Sequence, residues 1–128
     1  MNPEKTKQDW LATLDAFFAE VERWAVEMGW ETGREQREVS ESRLGTYAAP
    51  VLHLERDGGR AVFEPIARCM AGESEGLVEL LFWPNLTRFT LDRVGDGWKL
   101  RTSDGVAWPE GWGKQTFAYL TKELGVAA

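Results

Sequence analysis

The chain holds one cysteine, Cys69, and one histidine, His53. A single thiol cannot form an internal disulfide, which agrees with a reducing compartment. No CxxC, HxxxH or HExxH spacing is present, so ligand count excludes a structural zinc site. Long hydrophobic runs are missing too, and nothing approaches the roughly 18 apolar residues of a membrane span. The opening Met1-Asn2-Pro3-Glu4-Lys5 leads into mixed polar and apolar positions with no apolar h-region, which argues against a secretory signal. The expected location is the cytoplasm, with no membrane partner. An excess of positive charge is also absent: 21 acidic residues against 15 basic ones give a net charge of −6. Such a chain repels phosphate backbones, so nucleic acid is not an expected partner. The carboxylates are dispersed among lysines and arginines, so a surface imitating nucleic acid is not the expected reading either. Internal repeats, low-complexity segments and linkers are absent.

What the chain does have is tryptophan, seven in 128 residues. Each brings a large apolar body and one N–H to satisfy, so the rings either fill an aromatic core or serve a partner. The length suits one α+β domain spanning residues 1–128.

Residues 6–28 carry a helical stripe. At about 100° per residue, Trp10, Leu14, Phe17, Phe18, Val21, Trp24, Ala25 and Met28 share one arc of the wheel. Thr6 and Asp9 resemble a capping box, and Gly29 suits a left-handed stop. Residues 31–45 are polar and weakly patterned, compatible with a loop or a charged edge strand. The period then changes to two, with apolar runs at 51–56, 60–69, 77–83, 88–94 and 98–102 that predict an antiparallel meander. A second helix is expected from Glu110 to Glu123, with Gly125 as its stop. The resulting order is α-β-β-β-β-β-α, with both helices on one face of the sheet.

Turn chemistry sets the expected registers. A type I′ turn centred on Gly58-Gly59 pairs Asp57 with Arg60 and places His53 opposite Glu64. A turn at Asp96-Gly97 pairs Gly95 with Trp98 and Asp92 with Arg101. Leu52, Leu54, Ala61, Phe63, Ala67 and Cys69 then line one face. His53, Glu55, Val62, Glu64, Ile66 and Arg68 line the other. Leu77 to Trp83 is apolar on both sides and reads as a central strand, adding Glu79, Leu81 and Trp83 to the second face. Pro65 cannot donate to a ladder, so an edge position or a bulge is expected beside it.

The second face mixes ionisable and apolar side chains, the usual place to look for a site. His53, Glu64 and Glu79 are its catalytic candidates, and Glu55, Glu64 and Glu79 its metal-ligand candidates. A helix followed by acidic strands loosely resembles the restriction-endonuclease-like nucleases. Their lysine two residues after an acid is absent, since Pro65-Ile66 follows Glu64 and Leu80-Leu81 follows Glu79. Cys69 and His53 fall on opposite faces, so a Cys–His nucleophile is not expected. Val62, Ile66, Arg68, Leu81 and Trp83 instead suggest an interface.

Between Trp98 and Trp112, three tryptophans separated by turn formers read as a staple for the last helix more than as a ligand platform. The sequence therefore favours a non-enzymatic interaction or regulatory module without cofactor, self-associating as a homodimer through the Trp83 face. The alternatives are a small metal-dependent hydrolase or nuclease-like enzyme using Glu64 and Glu79, or a binder of a small apolar ligand.

Overall fold

The structure, a computed structural model, describes residues 2–124. Helix α1 (Pro3–Glu27) is followed by strands β1 (Glu31–Glu41), β2 (Gly45–Arg56), β3 (Gly59–Ala67), β4 (Leu77–Trp83), β5 (Thr87–Val94) and β6 (Gly97–Thr102), then helix α2 (Lys114–Leu124). All six strands lie in one antiparallel sheet in chain order. The α+β meander between terminal helices is as the sequence predicts. The sixth strand comes from residues 31–41, whose pattern left loop and edge strand open, and it forms the sheet edge as β1. Among the described residues no helix is long and apolar enough to cross a membrane. The Gly125 stop expected for α2 lies outside the described residues.

Helix α1 starts earlier than the Thr6–Asp9 pattern predicts. Asn2 is the cap, its Oδ1 accepting the N–H groups of Glu4 and Lys5 at 3.1 and 3.2 Å. Pro3 at the first helical position lacks an N–H that would have been orphaned there anyway, so the start moves upstream. Gly29 follows the helix at φ 83°, the left-handed stop expected of it. Helix α2 begins at Lys114, later than the predicted Glu110.

Both predicted hairpin turns move by one residue, and for one reason: each site offers two overlapping turn pairs. In the first, Asp57 (φ 50°) and Gly58 (φ 81°) take the two positive-φ positions of a type I′ turn, so Arg56 pairs with Gly59. In the second, Gly95 takes the positive φ of a type II′ turn, and Val94 pairs with Gly97. His53 therefore opposes Val62, not Glu64, and Asp92 opposes Lys99, not Arg101. Moving a turn by one residue changes the paired positions by two, so each side chain keeps its face.

The inner face is the core. Leu52, Leu54, Ala61, Phe63, Val78, Leu80, Phe82 and Leu91 are fully buried, together with Leu14, Phe18, Val21 and Ala25 of α1. Phe63 is its hub: Phe17 of α1 lies 5.9 Å from it ring to ring, Trp112 6.1 Å and Phe117 of α2 6.5 Å. Gly76 takes φ 148°, and the six-membered ring of Trp10 occupies the space where a side chain on Gly76 would project.

Beyond Phe63 the β2–β3 ladder stops, and the β1–β2 hairpin runs on alone to its tip. Pro65 sits in the freed stretch of β3, where no β2 carbonyl waits for an N–H, and the expected bulge falls between Pro65 and Ala67. Ala49, Pro50, Val51 and Leu52 are all buried at the divergence, so β2 changes the face it turns to the core there. Glu41 ties the hairpin tip back. Its carboxylate accepts the backbone N–H groups of Arg68 and Cys69, the latter at 2.8 Å, and the hydroxyl of Tyr47.

Burial pushes the Glu41 carboxyl up, but the Arg68 N–H, Tyr47 hydroxyl and Cys69 N–H together hold it below its ordinary 4.5. A carboxyl depressed in the folded state stabilises the fold fully above its unfolded pKa and loses that contribution as pH falls through the folded value. Glu41→Gln is therefore expected to lower the melting temperature at pH 6. The gap from the parent should narrow progressively below about pH 4.5. Thermal melts of both proteins across this range check it, and a gap independent of pH would dissociate Glu41 from acid sensitivity.

Candidate functional site

The outer face gathers the residues that sequence reasoning singled out. His53, Val62, Glu64, Glu79, Leu81 and Trp83 line one shallow cleft of about 220 Å³ with Arg37 and Arg60. Its centre is set by cross-strand pairing: His53 of β2 opposes Val62 of β3, which opposes Leu81 of β4. One row away, Arg60 opposes Trp83; in the other direction Glu64 opposes Glu79.

Two carboxylates directly opposite would repel. Each is instead engaged by an arginine from a different strand. Arg37 of β1 donates Nη1–H to Glu64 Oε2 at 2.7 Å and Nη2–H to Glu35 Oε1 at 2.7 Å. Arg88 of β5 pairs with Glu79. His53 Nε2 lies 2.7 Å from Glu35 Oε1. The hydrogen bond to His53, reinforced by the charges of His53 and Arg37, outweighs burial and holds the Glu35 carboxyl below its usual range. Glu55 is paired with its cross-strand neighbour Arg60 at 3.0 Å. These pairs are largely exposed, so each adds little to stability and the network acts mainly to orient its members.

The candidate acids are thus held as bridging acceptors. Glu55 lies outside the cleft that contains Glu64 and Glu79. Among the described residues no three His, Cys, Asp or Glu side chains converge as a metal site. Arg68, expected beside Ile66, lies past the end of β3 and outside this cleft, because the bulge after Pro65 ends the alternation. Ile66 lines a neighbouring cleft of about 240 Å³ with Val39, Val51 and Pro65, at the divergence of the hairpin from β3.

On the outer face, sequence reasoning singled out neither Arg60 and Arg88 nor, on β1, Glu35 and Arg37. The spacing of two between Glu35 and Arg37 was a strand signal, but only pairing with β2 shows that β1 reaches this face. Trp83 is 43 % exposed and Ile66 41 %, the most open large apolar side chains of the two clefts. The other tryptophans belong to packing: Trp10 and Trp30 are buried, and Trp24, Trp98, Trp108 and Trp112 lie against the core.

No known protein family, curated protein or solved structure matches the chain.

Proposed function

We propose that the protein is a non-enzymatic interaction module of the cytoplasm, self-associating through the outer face of its sheet. The observation that carries this reading is the 43 % exposure of Trp83 within a frame of paired arginines and glutamates. Tryptophan and arginine are the side chains protein interfaces favour, and a buried indole is a frequent energetic anchor. The frame carries both signs, Arg37, Arg60 and Arg88 against Glu35, Glu55, Glu64 and Glu79. Such a surface can face its own copy about a two-fold axis without net repulsion. A hydrolytic role is less well supported, since Glu64 and Glu79 are each engaged by an arginine.

Sedimentation equilibrium over a wide concentration range tests the reading. The expected result is a mass rising towards that of a dimer. Trp83→Ala should weaken the association by on the order of 30-fold, the equivalent of about 2 kcal/mol for an anchor residue. Because Trp83 is so exposed, its melting temperature should change little. A parent chain that stays monomeric at every concentration overturns self-association, and an unchanged dimer in Trp83→Ala moves the contact to another face.

A further inference from the structure

A third cavity, of about 640 Å³, lies apart from both outer clefts, between residues 108–113 and helix α2. Trp108, Trp112, Thr116 and Tyr119 line it, with Glu110, Lys114 and Gln115 among its polar residues. Its volume falls within the range of small-molecule sites. Trp112 is committed to packing, lying 5.9 Å from Phe17 and 6.2 Å from Phe117. Trp108 is held from behind by Phe89 at 6.0 Å, edge to face, and meets Tyr119 at 6.1 Å with the rings inclined by 44°. Tyr119 is 54 % exposed although it stands beside the Trp108 indole. The staple reading of this segment accounts for Trp112 and for the side of Trp108 that meets Phe89, and leaves the exposed Tyr119 beside Trp108 unexplained.

Charge narrows what the corner suits. Lys114 is bound to Glu27 of α1 at 2.6 Å, which cancels its charge locally. Glu110 has no basic partner within ion-pair distance among the described residues. The cavity therefore offers two π-systems, each with a negative face, and one uncommitted carboxylate. That combination attracts a weakly hydrated organic cation, whose desolvation costs little and whose charge is spread over methyl groups. We propose that this cavity binds a quaternary-ammonium or methylated-amine group, with Trp108 and Tyr119 contacting the methyls and Glu110 supplying the opposite charge.

Choline and its neutral isostere 3,3-dimethylbutan-1-ol separate the cation from its shape. Each is titrated into the full ¹⁵N-labelled chain, with the Trp108 indole N–H assigned through Trp108→Phe. Choline is expected to shift the Trp108 signal saturably and leave that of Trp83 in place, with the alcohol binding about tenfold more weakly or less. Glu110→Gln and Tyr119→Ala, both at exposed positions, should each weaken choline by roughly fivefold while the remaining indole signals keep their positions. Absence of a saturable Trp108 shift overturns the proposal. So does equal binding of the alcohol, which would make the cavity merely apolar, or preferential binding of sulfate, which would make the start of α2 the binding element.

Discussion

Phe63→Ala is expected to remove about 3–5 kcal/mol of stability, a large share of the roughly 5–15 kcal/mol available to a domain of this kind. Phe63 is fully buried and is the ring on which Phe17, Phe18, Trp112 and Phe117 converge. Truncation removes the transfer free energy of a phenyl group and leaves a cavity walled by aromatic planes. Rings fixed by neighbours on other elements cannot collapse far into such a space, which places the cost towards the upper end. Chemical denaturation should show a lower midpoint. Near-ultraviolet circular dichroism should lose intensity beyond one phenylalanine's share, because Trp112 would lose one of its aromatic packing partners. Phe63→Leu, which keeps most of the volume, should cost less than half as much. A Phe63→Ala loss below about 1 kcal/mol would show that the core does not hinge on this ring.

Gly76→Ala is the second substitution with a large expected effect, on the order of 2–5 kcal/mol from overpacking and backbone strain together. A Cβ at Gly76 would fall against Cζ3 and Cη2 of Trp10, far inside contact distance, at a φ of 148° that side chains rarely adopt. Neither partner can yield easily. Trp10 is 2 % exposed and lies 6.2 Å from Trp98. The Gly76 carbonyl accepts the Arg93 N–H at 2.9 Å and the Ser74 hydroxyl at 3.1 Å. A double-mutant cycle with Trp10→Leu divides the penalty. The steric part should vanish when the indole is removed, and the strain of φ should remain. Strict additivity of the two substitutions would place the whole cost in the backbone.

Much of this architecture is written in local pattern, and what is not can be traced to particular residues. The α1 stripe and the two faces of β2 to β6 follow from periodicity, which survives errors in turn placement. Asp57-Gly58-Gly59 contains both an Asp-Gly and a Gly-Gly turn, and only the packed sheet selects between them. The same holds at Gly95-Asp96-Gly97. Strand β1 was ambiguous because almost all of it is exposed, so burial leaves no alternation in its sequence. The outer-face residues were legible as a group, but not their partners: Arg37 reaches Glu64 across the intervening strand β2. No local rule joins residues 37 and 64. A pair of acids therefore reads as chemistry in the sequence and as a salt-bridged network in the fold.

The two borders of the sheet bear on how the molecule can assemble. Along β1, Glu31, Arg34, Glu35, Arg37 and Glu38 crowd the outermost strand with charge, and such decoration discourages lateral strand pairing. On the far side, Trp108 N–H donates to the Leu100 carbonyl and Thr102 N–H to the Val106 carbonyl, both at 2.9 Å, so the returning segment occupies part of the β6 border. Pro65 removes a donor from the stretch of β3 that β2 leaves uncovered. Growth by adding strands, the route to fibres, is obstructed at each of these places. Face-to-face stacking remains open, and about a two-fold axis it terminates at two copies, giving a finite particle instead of a polymer.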